Sequence, residues 1–291
     1  MDLERLQPKL FNEFKAILQS DRMNHAYLFS GDFASFEMSL YLAQSRFCDN
    51  LQDKLPCGHC RSCHLIEKRE FTDLKIVEPT GQIIKTDTIK SLMREFSSSG
   101  FEGSAQVFII RDCEKMHPNA ANSLLKFIEE PQSSSYMILL TSDESKVLPT
   151  IKSRTQIFHF PKNKELLMEQ AQQAGLLKSQ AETMAELASS PQNLQELLQN
   201  KKNLDLLQVC QRFTGILLKK SEDVYLEVGR LVQVVPEKAD QDLVFKILTI
   251  LLAKDKEVRQ ARTYLQALYQ ARLMWQSNVS FQNAIEYMVI S

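Results

Sequence analysis

The chain has 291 residues, enough for two or three domains and a sizeable apolar core without covalent staples. Its 35 basic and 36 acidic residues nearly cancel, and its 8 Gly and 9 Pro fall well below ordinary usage. This excludes a chain drawn onto nucleic acid or anionic lipid by its own net charge, and it excludes a loop-rich or disordered one. No apolar run reaches the ~18 residues of a membrane span, and the start Met1-Asp-Leu-Glu-Arg lacks the basic and apolar regions of a signal peptide, so a cytoplasmic protein with no membrane partner is expected.

In chain order, short apolar runs bounded by turn residues predict buried strands at Ala26–Phe29, Leu74–Val77, Gln106–Ile110, Tyr136–Leu140 and Gln156–Phe160. Helical periodicity lies between them, as in Ile89, Leu92, Met93 and Phe96 and in Ala121, Leu124, Leu125 and Ile128. Strands alternating with helices predict an α/β domain with a parallel sheet over residues 1–160. Twelve of the Gly and Pro residues lie before position 162, and beyond Pro161 the pattern is nearly all helical. Short helices predict a small helical domain over 161–200. Longer ones, at Leu204–Lys219, Asp223–Val235, Asp240–Ala253, Glu257–Trp275 and Val279–Ile290, predict an all-α bundle over 201–291, in which Leu265, Leu268 and Trp275 share a packed face.

The first strand runs into Gly31 and then the amphipathic Phe36–Arg46, the place where a phosphate-binding loop of the form G-x-x-x-x-G-K-[ST] would sit. The aligned stretch reads Gly31-Asp-Phe-Ala-Ser-Phe36-Glu37-Met38. Phe36 replaces the second glycine, a carboxylate at Glu37 replaces the lysine, and the thioether of Met38 replaces the hydroxyl that would hold Mg²⁺. No productive ATP binding is expected from such a loop. Asp112 and Glu114 follow a buried strand at the position of a P-loop ATPase's metal-binding acids, but without the lysine and hydroxyl their expected role is capping and ion pairing.

Cys48, Cys57, Cys60 and Cys63 are spaced C-x8-C-x2-C-x2-C among turn-forming residues. Such spacing suits a tetrahedral four-thiolate zinc site, closed to water and therefore structural. An iron–sulfur cluster is the competing reading, although the Cys-Pro ending of that motif is missing. His59 and His64 are possible substitute ligands, and Cys113 and Cys210 read as packing residues. The surrounding Arg61, Lys68 and Arg69 alternate with Glu67 and Glu70, which makes a DNA-reading zinc module a weak alternative. Further on, Arg154 precedes the fifth strand. A surface charge and a group donated to a neighbour's γ-phosphate are both open readings of it.

Taken together, His25-Ala-Tyr-Leu-Phe-Ser-Gly31, the four spaced cysteines, Asn119-Ala-Ala-Asn-Ser-Leu-Leu-Lys-Phe-Ile-Glu-Glu-Pro131 and Leu148-Pro-Thr-Ile-Lys-Ser-Arg154 resemble, in order, the bacterial AAA+ clamp-loader family of DNA polymerase III. The resemblance implies an AAA+ α/β domain with a zinc module, then a helical lid domain and a helical collar that joins five subunits in an open ring. It implies gamma/tau and delta subunits as partners, with the sliding clamp and primer–template DNA engaged through the complex. The motor subunits of the family carry an intact GKT loop, and the departures at Phe36, Glu37 and Met38 place this chain with the nonhydrolysing delta prime type. It is then a component of the polymerase holoenzyme with no ATPase activity of its own; an ATP-hydrolysing gamma/tau-type motor is the alternative. The family's Ser-Arg-Cys motif supplies an arginine finger in trans. Here it reads Ser153-Arg154-Thr155, which implies the finger role for Arg154 with Ser153 beside it.

Overall fold

The computed structural model describes residues 2–98, 105–130, 135–219, 223–254 and 259–290, with side chains 95–98 left aside. Two compact units result, Met1–Asn163 and Lys164–Ser291.

The first unit begins with α1 (Leu3–Leu6) and α2 (Pro8–Gln19), followed by β1 (Ala26–Ser30), α3 (Ser35–Phe47), α4 (Arg61–Glu67), β2 (Leu74–Val77), α5 (Thr86–Ser98) and β3 (Gln106–Ile110). It continues with α6 (Pro118–Glu129), β4 (Ser135–Thr141), α7 (Pro149–Lys152) and β5 (Gln156–His159). All four strand pairings are parallel and the order is β2-β3-β4-β1-β5. Each predicted strand is present. β1 and β4 reach one residue further than their apolar runs, through Ser30 and Thr141, because ladder hydrogen bonds continue after the hydrophobic stretch ends. β5 stops at His159, although the Phe160 N–H still donates to the Ser30 carbonyl at 2.7 Å.

The apolar runs do not alternate because both faces of the sheet are covered. On one face Ala26 and Leu28 of β1 join Phe108, Ile110, Met137 and Leu139 against Leu124 and Ile128 of α6 and Ile89 and Leu92 of α5. On the other, Tyr27 and Phe29 pack with Phe14 of α2 and Phe158 of β5, the Phe14 and Phe158 ring centroids lying 4.4 Å apart. α6 starts as its sequence foretells, with Pro118 in its first turn and His117 Nδ1 accepting from the Asn119 N–H at 3.3 Å. The expected stop residue, Pro131, lies outside the described residues.

Gly31 is where backbone geometry is least negotiable. Its φ is +110°, and a Cβ built there would lie 2.4 Å from the Phe160 carbonyl oxygen. Gly31→Ala should therefore lower stability by roughly 2–4 kcal/mol, from left-handed strain plus a backbone clash that no rotamer relieves. Denaturant unfolding of the variant checks this, and a midpoint equal to wild type would contradict it.

The second unit comprises α8 (Lys164–Gln173), α9 (Lys178–Leu187), α10 (Pro191–Gln199), α11 (Lys201–Leu218), α12 (Val224–Val234), α13 (Lys238–Lys254), α14 (Arg259–Gln276) and α15 (Phe281–Ile290). Asn200 separates α10 from α11, its side chain accepting from the Lys202 N–H at 3.0 Å. Residues 257 and 258 of the predicted fourth long helix lie outside the described residues. On α14 the buried positions are Ala261, Ala267, Leu268 and Ala271, whereas Leu265 and Trp275 are half-buried. Trp275 packs its ring against Phe245 and donates to Gln241 Oε1 at 2.7 Å. The buried carboxyl group of Glu227 on α12 is met by the guanidinium groups of Arg212, at 3.0 Å, and Arg230. No helix among the described residues is long and apolar enough to cross a membrane.

Candidate functional site

Three groups of residues singled out in the sequence occupy three places on the first unit. The four cysteines form a cluster in the segment joining α3 to β2, with all four sulfurs within 4.8 Å of one another. Cys48 caps the C-terminus of α3, and Cys60 caps the N-terminus of α4 while its sulfur accepts from the Cys63 N–H. The Cys48 sulfur lies 3.5 Å from that of Cys57 and 3.9 Å from that of Cys60. A tetrahedral centre with ~2.3 Å metal–sulfur bonds separates its sulfurs by about 3.8 Å, so the spacing fits a four-thiolate metal ion.

Backbone N–H groups point at the sulfurs: those of Asn50 and Cys57 at Cys48, that of Cys60 at Cys57 and that of Cys63 at Cys60, over 3.3–3.4 Å. These donors favour thiolates, and at Cys57 the nearby His59 backbone, with Cys60 beside it, holds the thiol down to about 6. Burial pushes the Cys48 and Cys63 thiols upward, and a metal cation held by the four sulfurs would offset that burial. His59 and His64 stand outside the cluster, His59 Nδ1 lying 2.8 Å from the Cys57 carbonyl and His64 Nδ1 3.8 Å from Glu67. Cys113 and Cys210 are buried elsewhere. The module is anchored by Gln44 of α3, whose amide donates to the Cys63 carbonyl at 3.0 Å, and by the Phe47–Phe71 ring pair.

The loop after β1 lies at the carboxyl edge of the sheet, where open α/β sheets place their ligands. Ala34 caps α3 in the left-handed region, with no side-chain cap bond. Met38 is fully buried in the core and Glu37 is half-buried. Phe36 is met by two guanidinium groups, those of Arg69 and Arg111, each 4.6 Å from its ring centroid. Both arginines also meet Glu78, Arg111 at 2.6 Å and Arg69 at 3.7 Å.

Asp32 faces further carboxylates: its carboxyl is held above the usual range by burial and by the negative charges of Asp112 and Glu114. The expected ion pair of Asp112 is present, with Lys115 at 2.9 Å, but its side chain caps nothing. Asp112 enters the following turn through a left-handed backbone instead. Glu114 Oε1 accepts from the Ser142 hydroxyl at 2.8 Å, again a bond rather than a cap. One residue that sequence reasoning missed is Gln7. Its amide, buried, donates to the carbonyls of Phe33 at 2.9 Å and Pro161 at 2.8 Å, tying the loop to the chain after β5. Nothing local distinguishes Gln7 from a surface glutamine.

Arg154 lies at the opposite edge. It precedes β5, whereas Gly31 follows β1, and the two strands are parallel with Tyr27 opposite Gln156. On the order of 15–20 Å of strand therefore separates Arg154 from the loop of its own chain. Ser153 ends α7 and donates from Oγ to the Thr150 carbonyl at 3.1 Å, and Thr155, where the motif has Cys, donates to the Ile151 carbonyl at 3.0 Å.

Residues 6–164 match the family described as "DNA polymerase III, delta subunit". Over 161 residues the chain is 38% identical to DNA polymerase III subunit delta' of Bacillus subtilis, covering 55% of this chain and 49% of that one. The chain belongs to the delta prime family of DNA polymerase III subunits. Delta' of Haemophilus influenzae is 31% identical over 150 residues, 50% of this chain and 46% of that one. The tau/gamma subunit of the same organism is 30% identical over 155 residues, 53% of this chain and 22% of that one. The chain thus spans about half the length of the delta' relatives it matches. A gamma subunit-related protein of Thermotoga maritima, at 20% identity and a TM-score of 0.51, aligns with 96% of this chain and 97% of its own, which extends the shared fold into the helical half.

Proposed function

We propose that this chain acts as a nonhydrolysing subunit of the DNA polymerase III clamp loader. In this reading residues 1–160 form an AAA+ domain, 161–200 a lid and 201–291 a collar that joins it to gamma/tau and delta subunits in a ring of five. The ring, in the cytoplasm, loads the sliding clamp on primer–template DNA, and this subunit offers Arg154 to the ATP of a neighbour. The cysteine cluster holds one structural Zn²⁺ that fastens the α3–β2 segment.

The observation that carries the reading is the loop Gly31–Met38 in a delta prime family chain. Glu37 stands where a phosphate-binding cation belongs, Met38 is buried, and Asp32 faces Asp112 and Glu114, while the nearby cations are already engaged, Lys115 by Asp112 and Arg69 and Arg111 by Phe36 and Glu78. A triphosphate there meets a carboxylate in place of the lysine and a buried thioether in place of the hydroxyl that would help hold Mg²⁺. Arg154, half-exposed at the other edge, is out of reach of that loop and open to a partner. Arg69, a cation a DNA-reading zinc module would need, is turned onto Phe36 and Glu78.

The test has two parts. Mixed with purified gamma/tau and delta subunits, the chain should co-elute as one assembly on size exclusion. Alone, it should bind Mg-ATP with no saturation below about 1 mM, an affinity near −4 kcal/mol. Micromolar binding by the isolated chain would instead identify an ATP-hydrolysing motor subunit.

A further inference from the structure

Arg154 is held at its edge by a specific set of contacts. Its Nε donates to Glu129 Oε1 at 2.5 Å, and its Nη1 donates to the Thr150 carbonyl and to Ser153 Oγ, each at 3.2 Å. Each edge of the planar guanidinium thus has one donor engaged, Nε on one and Nη1 on the other. Nη2, the corner shared by the two edges, makes no hydrogen bond among the described residues.

Glu129 is the last residue of α6, and that end of the helix is itself pinned, with His25 Nε2 2.8 Å from the Ile128 carbonyl. The carboxylate is thus mounted on an element packed in the sheet core, not on a loose loop. Glu129 and Arg154 are both partly exposed, at 47% and 38%, and an exposed ion pair contributes little to stability. Its value is therefore geometric: it fixes a side chain that otherwise has four free torsions.

We propose that Glu129 is a positioning residue for the arginine finger. It occupies Nε so that Nη2 is presented, already oriented, to the γ-phosphate on the neighbouring subunit. This rests on the finger reading above. A carboxylate that orients without touching the phosphate acts only through Arg154, which gives a distinctive signature in a double-mutant cycle.

The experiment uses the clamp-loader complex reconstituted with gamma/tau and delta subunits and carrying wild type, Glu129→Ala, Arg154→Ala or both changes in this chain. Single-turnover ATP hydrolysis is measured against ATP concentration in the presence of clamp and primed DNA. Glu129→Ala should slow hydrolysis at the ATP site that Arg154 faces on the order of tenfold, with the half-saturating ATP concentration of that site unchanged, because misorientation is felt in the transition state. Added to Arg154→Ala, it should slow the reaction no further.

Glu129→Gln keeps an acceptor for Nε and should lose less than Glu129→Ala. Equal thermal midpoints of the isolated variants should accompany these rates. Multiplicative losses in the double variant, or an unchanged or faster rate for Glu129→Ala while Arg154→Ala is slow, would overturn the positioning role alone. An unaffected Arg154→Ala would overturn the finger itself.

Discussion

Removing the metal from the zinc-loaded chain with a strong chelator should lower the thermal midpoint of the first unit by about 8–16 °C, with one equivalent of zinc released per chain. A structural metal site belongs to the short list of features whose loss costs on the order of 4 kcal/mol, and at about 2–4 °C per kcal/mol for a unit of this size the shift follows. The physical reason is local. Between Cys48 and Arg61 the chain has no regular element beyond one bridge between Gln52 and Leu55, and its conformation rests on backbone N–H groups turned toward sulfurs.

Without a cation, burial of Cys48 and Cys63 favours neutral thiols, which accept hydrogen bonds poorly, and the turns lose their partners. Cys60→Ser should reproduce the loss, since serine can keep the cap on α4 but removes one of the four sulfurs of the cluster. Acidification should release the metal too, because protons compete with it for the thiolates and affinity falls with pH. Metal analysis and calorimetry decide the matter. A chain purified with less than half an equivalent of zinc, or a midpoint indifferent to the chelator, would remove the metal from the account, and iron with visible absorbance would substitute a cluster for it.

Arg154→Ala should slow hydrolysis at the one ATP site it faces by a factor of roughly 10³, the lower end of what arginine fingers supply. Bulk turnover of the ring should fall only by that site's share. The isolated chain should keep its stability within about 0.5 kcal/mol, because the Glu129 pair it loses is solvent-exposed. Arg154→Lys should restore little, since an ammonium cannot reproduce a planar guanidinium that is held through Nε by Glu129 and through Nη1 by Thr150 and Ser153 with Nη2 left for a phosphate. Single-turnover hydrolysis with clamp and primed DNA is the measurement, and wild-type rates in the Arg154→Ala complex would end the finger assignment.

The strand assignments were legible because each core strand is an apolar run flanked by turn residues. A parallel sheet covered on both faces demands that pattern of its central strands, while the edge strand β5 fully buries only Phe158. The ends were less legible: Ser30 and Thr141 are polar yet stay in the ladder, since backbone pairing does not depend on side-chain polarity. The expectation that Asp112 and Glu114 would cap was wrong for the same kind of reason. Composition tells that a carboxylate needs a partner, but not whether the partner is a backbone N–H or, as here, Lys115 and Ser142.

By itself the sequence determined the chemistry that depends on residue type at short range. Four thiols fall within sixteen residues of one another, and the phosphate loop carries a carboxylate where its cation should be. An arginine stands just before the last strand. Only the tertiary structure decided which distant groups those residues would meet. Glu129 reaches Arg154 across 25 positions, Gln7 reaches Pro161 across 154, and Arg69 and Arg111 converge on Phe36. A lone glutamate, glutamine or arginine carries no local signal of its partner. Its meaning appears when a parallel sheet, with helices folded back across it, brings the amino ends of some elements beside the carboxyl ends of others.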